Sequence, residues 1–183
     1  MTDDAPPTPP IVALGGSAGG LEAFSAFFEA LKEHPEPTGI AFVVLAHLPA
    51  SGDSHLAEFL AGASGLDAVE VPDAVTLAPD RIFVLPPGRR LRVEGDRLIA
   101  EPRGEEAVPH PIDHLFASLG PAHGDRAAAI VVSGTGADGS AGLQTVREHG
   151  GLVLAQRPES AAFVEMPASA IATGLVDAVL EPA

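Results

Sequence analysis

Residues 10–20 read PIVALGGSAGG, an apolar run that ends in a glycine-rich turn. The run predicts a β-strand at about 10–14, and the apolar spacing of three and four residues that follows predicts a helix over about 20–32. Such a turn can bind an anion on backbone N–H groups. It can also hold a serine with its hydroxyl exposed above a sheet, because residues 15–19 match G-x-S-x-G. The third interpretation is an ordinary strand–helix turn, packed closely because its residues are small. Ser17 is thus a candidate nucleophile of an α/β fold.

The rest of the chain continues this alternation of strands and helices. Five further apolar runs predict strands at about 40–45, 81–85, 127–133, 152–155 and 176–180. Helices are predicted at about 54–63, 111–119 and 140–149, and a hairpin at 90–93 and 97–100. Continuous apolar runs are typical of parallel strands that are covered on both faces. We therefore expect a doubly wound, mostly parallel sheet with helices on both faces and a short β-hairpin insertion. Residues 1–9 are expected to form a flexible tail, and residues 10–183 a single catalytic domain.

Composition excludes several classes of protein. The chain has 183 residues, a formal net charge of −15 and no cysteine. The negative charge argues against a nucleic-acid partner, and the missing cysteine excludes disulfides and thiolate chemistry. No apolar run approaches 18 residues and no signal peptide is present, which predicts a cytoplasmic protein without membrane insertion. The arginines clustered within residues 89–103 form either a local basic face or a charged hairpin edge.

Three residues that could together activate a nucleophile follow predicted strands. Ser17, His47 and Asp138 each lie at or just beyond the carboxyl end of a strand, where open parallel sheets bind their ligands. A hydroxyl, an imidazole and a carboxylate are the parts of a serine triad. The order Ser, His, Asp differs from that of the α/β-hydrolases. Each residue also has a structural interpretation: His47 as a strand cap, and Ser17 and Asp138 as helix N-caps, Asp138 for the helix at 140–149.

Metal and phosphate sites are weaker alternatives. His110, Asp113 and His114 could share one helical face, as metal ligands would, but a fourth ligand is not evident. No Walker lysine follows the glycines at 15–20, because the nearby Lys32 lies at the far end of the predicted helix. The sequence therefore predicts neither a metal nor a cofactor.

A set of motifs in a fixed order resembles the catalytic domain of the chemotaxis protein-glutamate methylesterases (CheB). The motifs are GGSAGG at 15–20, HLP at 47–49, PIDHLF at 111–116, SGTGADG at 133–139, AQ at 155–156 and MPASAI at 166–171. Together they span nearly all of residues 10–181. The pattern is most similar to the methylesterase modules of fused methylesterase–methyltransferase proteins.

This resemblance implies an enzyme, a reaction and a set of site residues. Members hydrolyse glutamate γ-methyl esters on chemoreceptors and release methanol, and some also deamidate glutamine. Ser17 then corresponds to the nucleophile, His47 to the base and Asp138 to the orienting acid. Backbone N–H groups of Ala18, or of Thr135 and Gly136, are the implied oxyanion donors.

The resemblance also implies partners, and the sequence departs from the family in places. A methylated receptor or other signalling protein is the implied substrate, and a methyltransferase or sensor module, in the same or another chain, is a further implied partner. Ala46 replaces a common glutamine and Thr135 a common methionine. Only nine residues precede the first predicted strand, so a regulatory receiver domain is not expected. The alternative functions are a non-catalytic signalling module of the same fold and a phosphate- or nucleotide-binding domain.

Overall fold

The computed structural model of the protein describes residues 8–46, 55–103 and 110–183. The strands of this part of the chain are β1 (Ile11–Gly16), β2 (Ala41–Ala46), β3 (Asp67–Glu70), β4 (Ala74–Thr76), β5 (Arg81–Val84), β6 (Arg89–Glu94), β7 (Arg97–Pro102), β8 (Ala127–Val131), β9 (Leu152–Gln156) and β10 (Ala178–Leu180). Its α-helices are α1 (Gly20–Lys32), α2 (Leu56–Ser64), α3 (Pro111–His123), α4 (Leu143–Glu148) and α5 (Glu165–Ala172).

Seven strands form a parallel sheet in the order β10-β9-β8-β1-β2-β5-β3. Gly15 near the end of β1 pairs with Leu45 of β2 and Val131 of β8, and Gly16 pairs with Ala46. The carboxyl ends of the three central strands therefore meet at one edge of the sheet. The α/β class and the mostly parallel sheet predicted from the sequence are confirmed.

Alternate residues of the central strands pack into a core on each face of the sheet. Leu14 and Phe42 face a core shared with α1 and α2. Ile11 and Val43 face the opposite core, which α3, α4, α5 and a second sheet complete. This alternation explains why β1 and β2 are apolar at nearly every position.

The second sheet is antiparallel, with the order β4-β7-β6. The predicted hairpin is present, and it has the additional strand β4, which the sequence analysis did not predict. Arg89 hydrogen-bonds to Asp73, and Arg92 hydrogen-bonds to Glu101 and Glu94. Acidic partners thus neutralise much of the arginine cluster, which favours a charged hairpin edge over a basic face.

Other differences from the predicted elements are local. The helix predicted at 140–149 is shorter in the structure: α4 begins at Leu143, and the amide of the preceding Gly142 donates to Asp113. The strand β3 was not predicted, and residues 1–7 of the predicted tail lie outside the described residues. Within residues 8–46, 55–103 and 110–183, no helix is both long enough and apolar enough to span a bilayer.

Candidate functional site

Ser17 occupies the turn that joins β1 to α1. Its backbone N–H donates to the Ser133 carbonyl at 3.0 Å, and its own carbonyl accepts from Gly20 N–H at 2.9 Å. Gly19 adopts a positive φ of 71°, a left-handed conformation that favours glycine and allows α1 to begin at the next residue. The backbone on both sides of Ser17 is thereby fixed at the carboxyl edge of the sheet.

The glycines before Ser17 are required by close packing from both cores. A Cβ atom on Gly15 would lie 2.5 Å from Ile112 Cγ2, on the α3 side of the sheet. A Cβ atom on Gly16 would lie 2.9 Å from Phe24 Cζ, on the α1 side. Either side chain would displace a fully packed residue, so the turn depends on both glycines.

Ser133, just beyond the end of β8, connects the Ser17 turn to two other segments. Its hydroxyl donates to the Ala18 carbonyl at 2.9 Å and accepts from Phe163 N–H at 3.0 Å. Its backbone N–H donates to Gln156 Oε1 at 2.8 Å. The Gln156 side chain is bonded in turn to the Ser160 carbonyl at 3.0 Å. Ser133 is fully buried, and it holds the Ser17 turn against the loop that leads to α5.

Asp138 lies at the amino end of α3. Its Oδ1 accepts from Asp113 N–H at 2.9 Å and its Oδ2 from Ile112 N–H at 3.2 Å. The residue is 8% exposed, and burial raises the pKa of its carboxyl group, an effect that the two amides oppose. Asp138 therefore caps α3, and the interpretation in which it caps the helix at 140–149 is wrong. Ile112, which Asp138 holds, also packs against Gly15 beside the Ser17 turn.

Two further polar residues surround Asp138. Asp113 accepts Gly142 N–H at 2.9 Å through its Oδ1, so Asp113 and Asp138 together join α3 to the turn after β8. His110 Nδ1 lies 3.9 Å from an oxygen of each carboxylate. His114 is directed elsewhere, with its Nε2 3.6 Å from Glu101 Oε2. The histidines and aspartate considered as metal ligands from the sequence therefore do not form one cluster.

The ligand atoms of His110, Asp113 and Asp138 do lie within 4.8 Å of one another. However, both carboxylates accept backbone amides, and the amino end of α3 carries a partial positive charge that opposes a cation. Both carboxylates thus have structural roles: Asp138 caps α3, and Asp113 binds the Gly142 amide before α4.

Among the predicted oxyanion donors, the backbone geometry distinguishes occupied amides from available ones. The Ser17 carbonyl accepts from Gly20, so the trans peptide directs Ala18 N–H to the opposite side. Gly134 N–H is occupied, because it donates to the Phe163 carbonyl at 3.1 Å. Within the described residues, the amides of Ala18, Thr135 and Gly136 donate no hydrogen bond. These three amides are available to a ligand.

His47 lies outside the described residues, so its predicted role stays a prediction. The residue before it, Ala46, pairs with Gly16, the residue before Ser17. The roles of Ser133, Gln156 and Asp113 as supports of the site were not predicted from the sequence. The one available signal was that Ser133 is the first polar residue after the apolar run of β8.

The family is decided by a comparison over almost the whole chain. A family model described as CheB methylesterase matches residues 12–183. The chain belongs to the CheB methylesterase family. This result confirms the resemblance found in the sequence motifs.

Individual relatives show how much of each protein the chain matches. A protein-glutamate methylesterase/protein-glutamine glutaminase of Caulobacter vibrioides is 34% identical over 182 residues, covering 95% of this chain and 51% of the relative. An uncharacterized 104.1 kDa protein of Rhodobacter capsulatus is 41% identical over 125 residues, covering 68% of this chain and 13% of the relative. The chain thus spans about half the length of the first relative and a small part of the second.

A solved structure supports the fold. The crystal structure of the Thermotoga maritima CheB methylesterase catalytic domain matches with a TM-score of 0.84, covering 95% of this chain and 93% of that one. The sequence identity is 24%, so this similarity bears on the fold alone.

Proposed function

We propose that this domain hydrolyses glutamate γ-methyl esters on chemoreceptors or related cytoplasmic signalling proteins and releases methanol. Ser17 is the nucleophile, His47 the general base and Asp138 the carboxylate that orients the imidazole. Family membership supports the substrate class, since curated relatives are named protein-glutamate methylesterases. The same relatives are named as glutaminases, which supports glutamine deamidation as a second reaction of the same site.

The main support for the proposal is that the three residues follow strands that lie side by side in the sheet. Ser17 follows β1, Asp138 follows β8, and His47 is the residue after β2. These strands are neighbours in the order β8-β1-β2. Asp138 is buried, and one residue, Ile112, both donates its backbone N–H to the Asp138 carboxylate and packs against Gly15.

The chemistry proceeds in two acyl-transfer steps. His47 takes the Ser17 hydroxyl proton as Oγ attacks the γ-carbonyl carbon, and the carbonyl oxygen becomes an oxyanion. The C–O bond to the methoxy group then breaks, and the imidazolium gives its proton to the departing methoxy oxygen, which leaves as methanol. Water attacks the glutamyl-serine ester in the same way, which releases the glutamate carboxylate and restores the Ser17 hydroxyl.

The available amides suit the stabilisation of the oxyanion. Ala18 N–H lies on one side of the Ser17 turn, and Thr135 and Gly136 belong to the turn after β8. Donors of this kind lower the barrier only if they are already oriented before the reaction. The hydrogen bonds that fix Ser17 and Ser133 supply this orientation.

Methanol release from a methylated receptor fragment tests the proposal. The purified chain should release methanol, and Ser17→Ala should lower turnover by roughly 10⁴-fold or more, as removal of a triad nucleophile does. Ser140→Ala is the matched control, because it removes a serine hydroxyl from the turn before α4. Methanol release that survives Ser17→Ala would contradict the serine mechanism, and no release from the wild type would contradict the activity.

A further inference from the structure

Two large apolar side chains are exposed beside the Ser17 turn. Phe163 is 42% exposed and Val164 is 47% exposed, and both precede α5. A Cβ atom on Gly19 would lie 3.3 Å from Phe163 Cδ2, so the ring lies against the turn two residues from Ser17. We call Phe163 and Val164 the apolar edge.

The backbone of the apolar edge is fixed by hydrogen bonds. Phe163 N–H donates to the Ser133 hydroxyl at 3.0 Å, and the Phe163 carbonyl accepts Gly134 N–H at 3.1 Å. The Val164 carbonyl accepts Ala168 N–H at 2.9 Å as α5 begins. Because these bonds hold both residues in place, their exposure is a built feature of the fold. A rigid apolar surface binds with little loss of conformational entropy.

The net charge of the chain limits which interactions can supply binding free energy at this edge. The chain carries a formal net charge of −15, so an acidic signalling protein is repelled at long range. A methyl-esterified glutamate is itself neutral and supplies no electrostatic attraction. The binding free energy must therefore come mainly from short-range contacts, and apolar area beside the nucleophile can provide it.

We propose that the apolar edge binds apolar side chains that neighbour the esterified glutamate in the protein substrate. This inference rests on the proposed function, because it takes Ser17 as the reacting group. The edge then discriminates between substrates: a protein segment gains from contact with both Phe163 and Val164, whereas a small ester presents much less surface to them. Phe163 and Val164 are accordingly specificity-determining residues.

The test compares two substrates across three variants. Phe163→Ser and Val164→Ser remove the apolar contact, and Leu152→Ser is the control. Leu152 is 47% exposed at the start of β9, at the opposite end of the sheet. The ratio of kcat/KM for a methylated receptor fragment to kcat/KM for p-nitrophenyl acetate should fall about 5- to 30-fold in Phe163→Ser, less in Val164→Ser, and stay constant in Leu152→Ser. The loss should lie in KM for the fragment.

A binding measurement keeps this inference separate from the proposed activity. The fluorescently labelled, methylated fragment is titrated with Ser17→Ala protein, with and without Phe163→Ser. A Kd that is about 5- to 30-fold higher with Phe163→Ser supports binding at the apolar edge even if no methanol is released. An unchanged Kd overturns the inference, whatever the outcome for hydrolysis.

Two further outcomes would also overturn it. An equal loss on both substrates would show that Phe163 supports the fold of the Ser17 turn and does not select substrates. A dimeric wild type that becomes monomeric in Phe163→Ser, with KM unchanged, would show that the edge joins two copies of the chain. Sedimentation velocity separates this second case from the proposal.

Discussion

Ser133 uses every one of its polar groups to hold segments next to the candidate nucleophile. Its carbonyl accepts from Ser17, its hydroxyl bonds to Ala18 and Phe163, and its amide donates to Gln156. Replacement by alanine would leave the Ala18 carbonyl and the Phe163 amide without their partner. The position of Ser17 therefore depends on a residue that is itself fully buried.

Ser133→Ala should lower both stability and turnover. Leaving buried polar groups unpaired costs about 1–3 kcal/mol, or roughly 2–4 °C in Tm for each kcal/mol at this chain length. We expect kcat to fall about 10-fold or more while KM changes little, because the loss is one of orientation. Methanol-release kinetics measure kcat and KM, and calorimetry measures Tm.

Ser118→Ala is the matched control for Ser133→Ala. The Ser118 hydroxyl also accepts one amide, from Val93 at 2.9 Å, and donates to one carbonyl, of Leu115 at 2.7 Å. This pair of bonds joins α3 to β6, away from the Ser17 turn. The control should lose comparable stability and keep its kcat. If both variants lost kcat equally, the role of Ser133 would be purely structural.

His47 should set the pH dependence of hydrolysis. A general base must be neutral to accept the Ser17 proton, and an unperturbed imidazole has a pKa of about 6.5. Activity should therefore rise through roughly pH 6 to 7.5, and His47→Ala should remove the rise and lower turnover by orders of magnitude. His114→Ala should leave the profile unchanged. Loss of activity in His114→Ala or with a chelator, together with near-normal His47→Ala, would instead indicate metal-assisted hydrolysis.

At the scale of elements, α3 connects the candidate site to the antiparallel sheet. Its amino end is capped by Asp138, and its last residue, His123, hydrogen-bonds to the Gly95 carbonyl in the turn between β6 and β7. His123 is buried, and within the described residues its Nδ1 has no hydrogen-bond partner. A proton on Nδ1 would therefore be buried without an acceptor.

His123 should make stability sensitive to mild acid. Burial lowers the pKa of His123 below its ordinary 6.5, and the nearby Arg126 lowers it further. The unfolded chain then binds the proton more readily than the folded chain. The contribution of neutral His123 to the free energy of unfolding is therefore fully present above about pH 6.5, and it is lost as pH falls through the lower, folded-state pKa. His123→Gln, which keeps a donor for Gly95, should flatten Tm between pH 7 and 5.

Calorimetry or far-ultraviolet circular dichroism is the suitable measurement, since the chain has no Trp or Tyr. His149→Gln is the control, because His149 is an exposed histidine that bonds to the Thr145 carbonyl within its own helix region. A wild-type Tm curve already flat over this range would contradict the role of His123. Acid sensitivity below pH 4.5 is a separate matter, because Arg92 lowers the pKa of Glu101 and thereby stabilises the fold above that range.

The elements that sequence predicted well are those with a strong local pattern. The helix expected at 20–32 is α1 with the same bounds, because its apolar spacing is regular and Gly19 fixes its start. The strands β3 and β4 have only four and three residues and are mostly half-buried, so they carry no clear alternation. They exist because β5 and β7 offer open edges for pairing, which a local pattern does not reveal.

The residues of the candidate site likewise differ in whether the sequence could predict their roles. Ser17 and Asp138 could be singled out because strand ends in a parallel sheet converge. The support given by Ser133 could not, because its hydroxyl bonds to Ala18, 115 residues away in sequence. The capping role of Asp138 was assigned to the wrong helix for the same reason: α3 precedes it by 25 residues, and only the tertiary fold brings the two together.

The charge of the whole molecule leads to a prediction about salt. At a formal net charge of −15, long-range repulsion should slow encounter with an acidic protein substrate. The screening length shortens from about 30 Å at 0.01 M salt to about 8 Å at 0.15 M. We expect kcat/KM for an acidic methylated fragment to rise over this range, and kcat/KM for neutral p-nitrophenyl acetate to stay constant. A decrease for the fragment would indicate a local basic contact with the substrate.

The two crowded glycines before Ser17 have a consequence for how this chain tolerates mutation. Gly15 is in close contact with one core and Gly16 with the other. A side chain at either position would therefore disturb core packing as well as the Ser17 turn. A screen of all substitutions scored by cellular abundance should therefore penalise both glycines as strongly as core leucines. Ser17 should be neutral in that screen and intolerant only when survival requires the reaction. Comparison of the two screens would separate the residues that build the turn from the one that reacts.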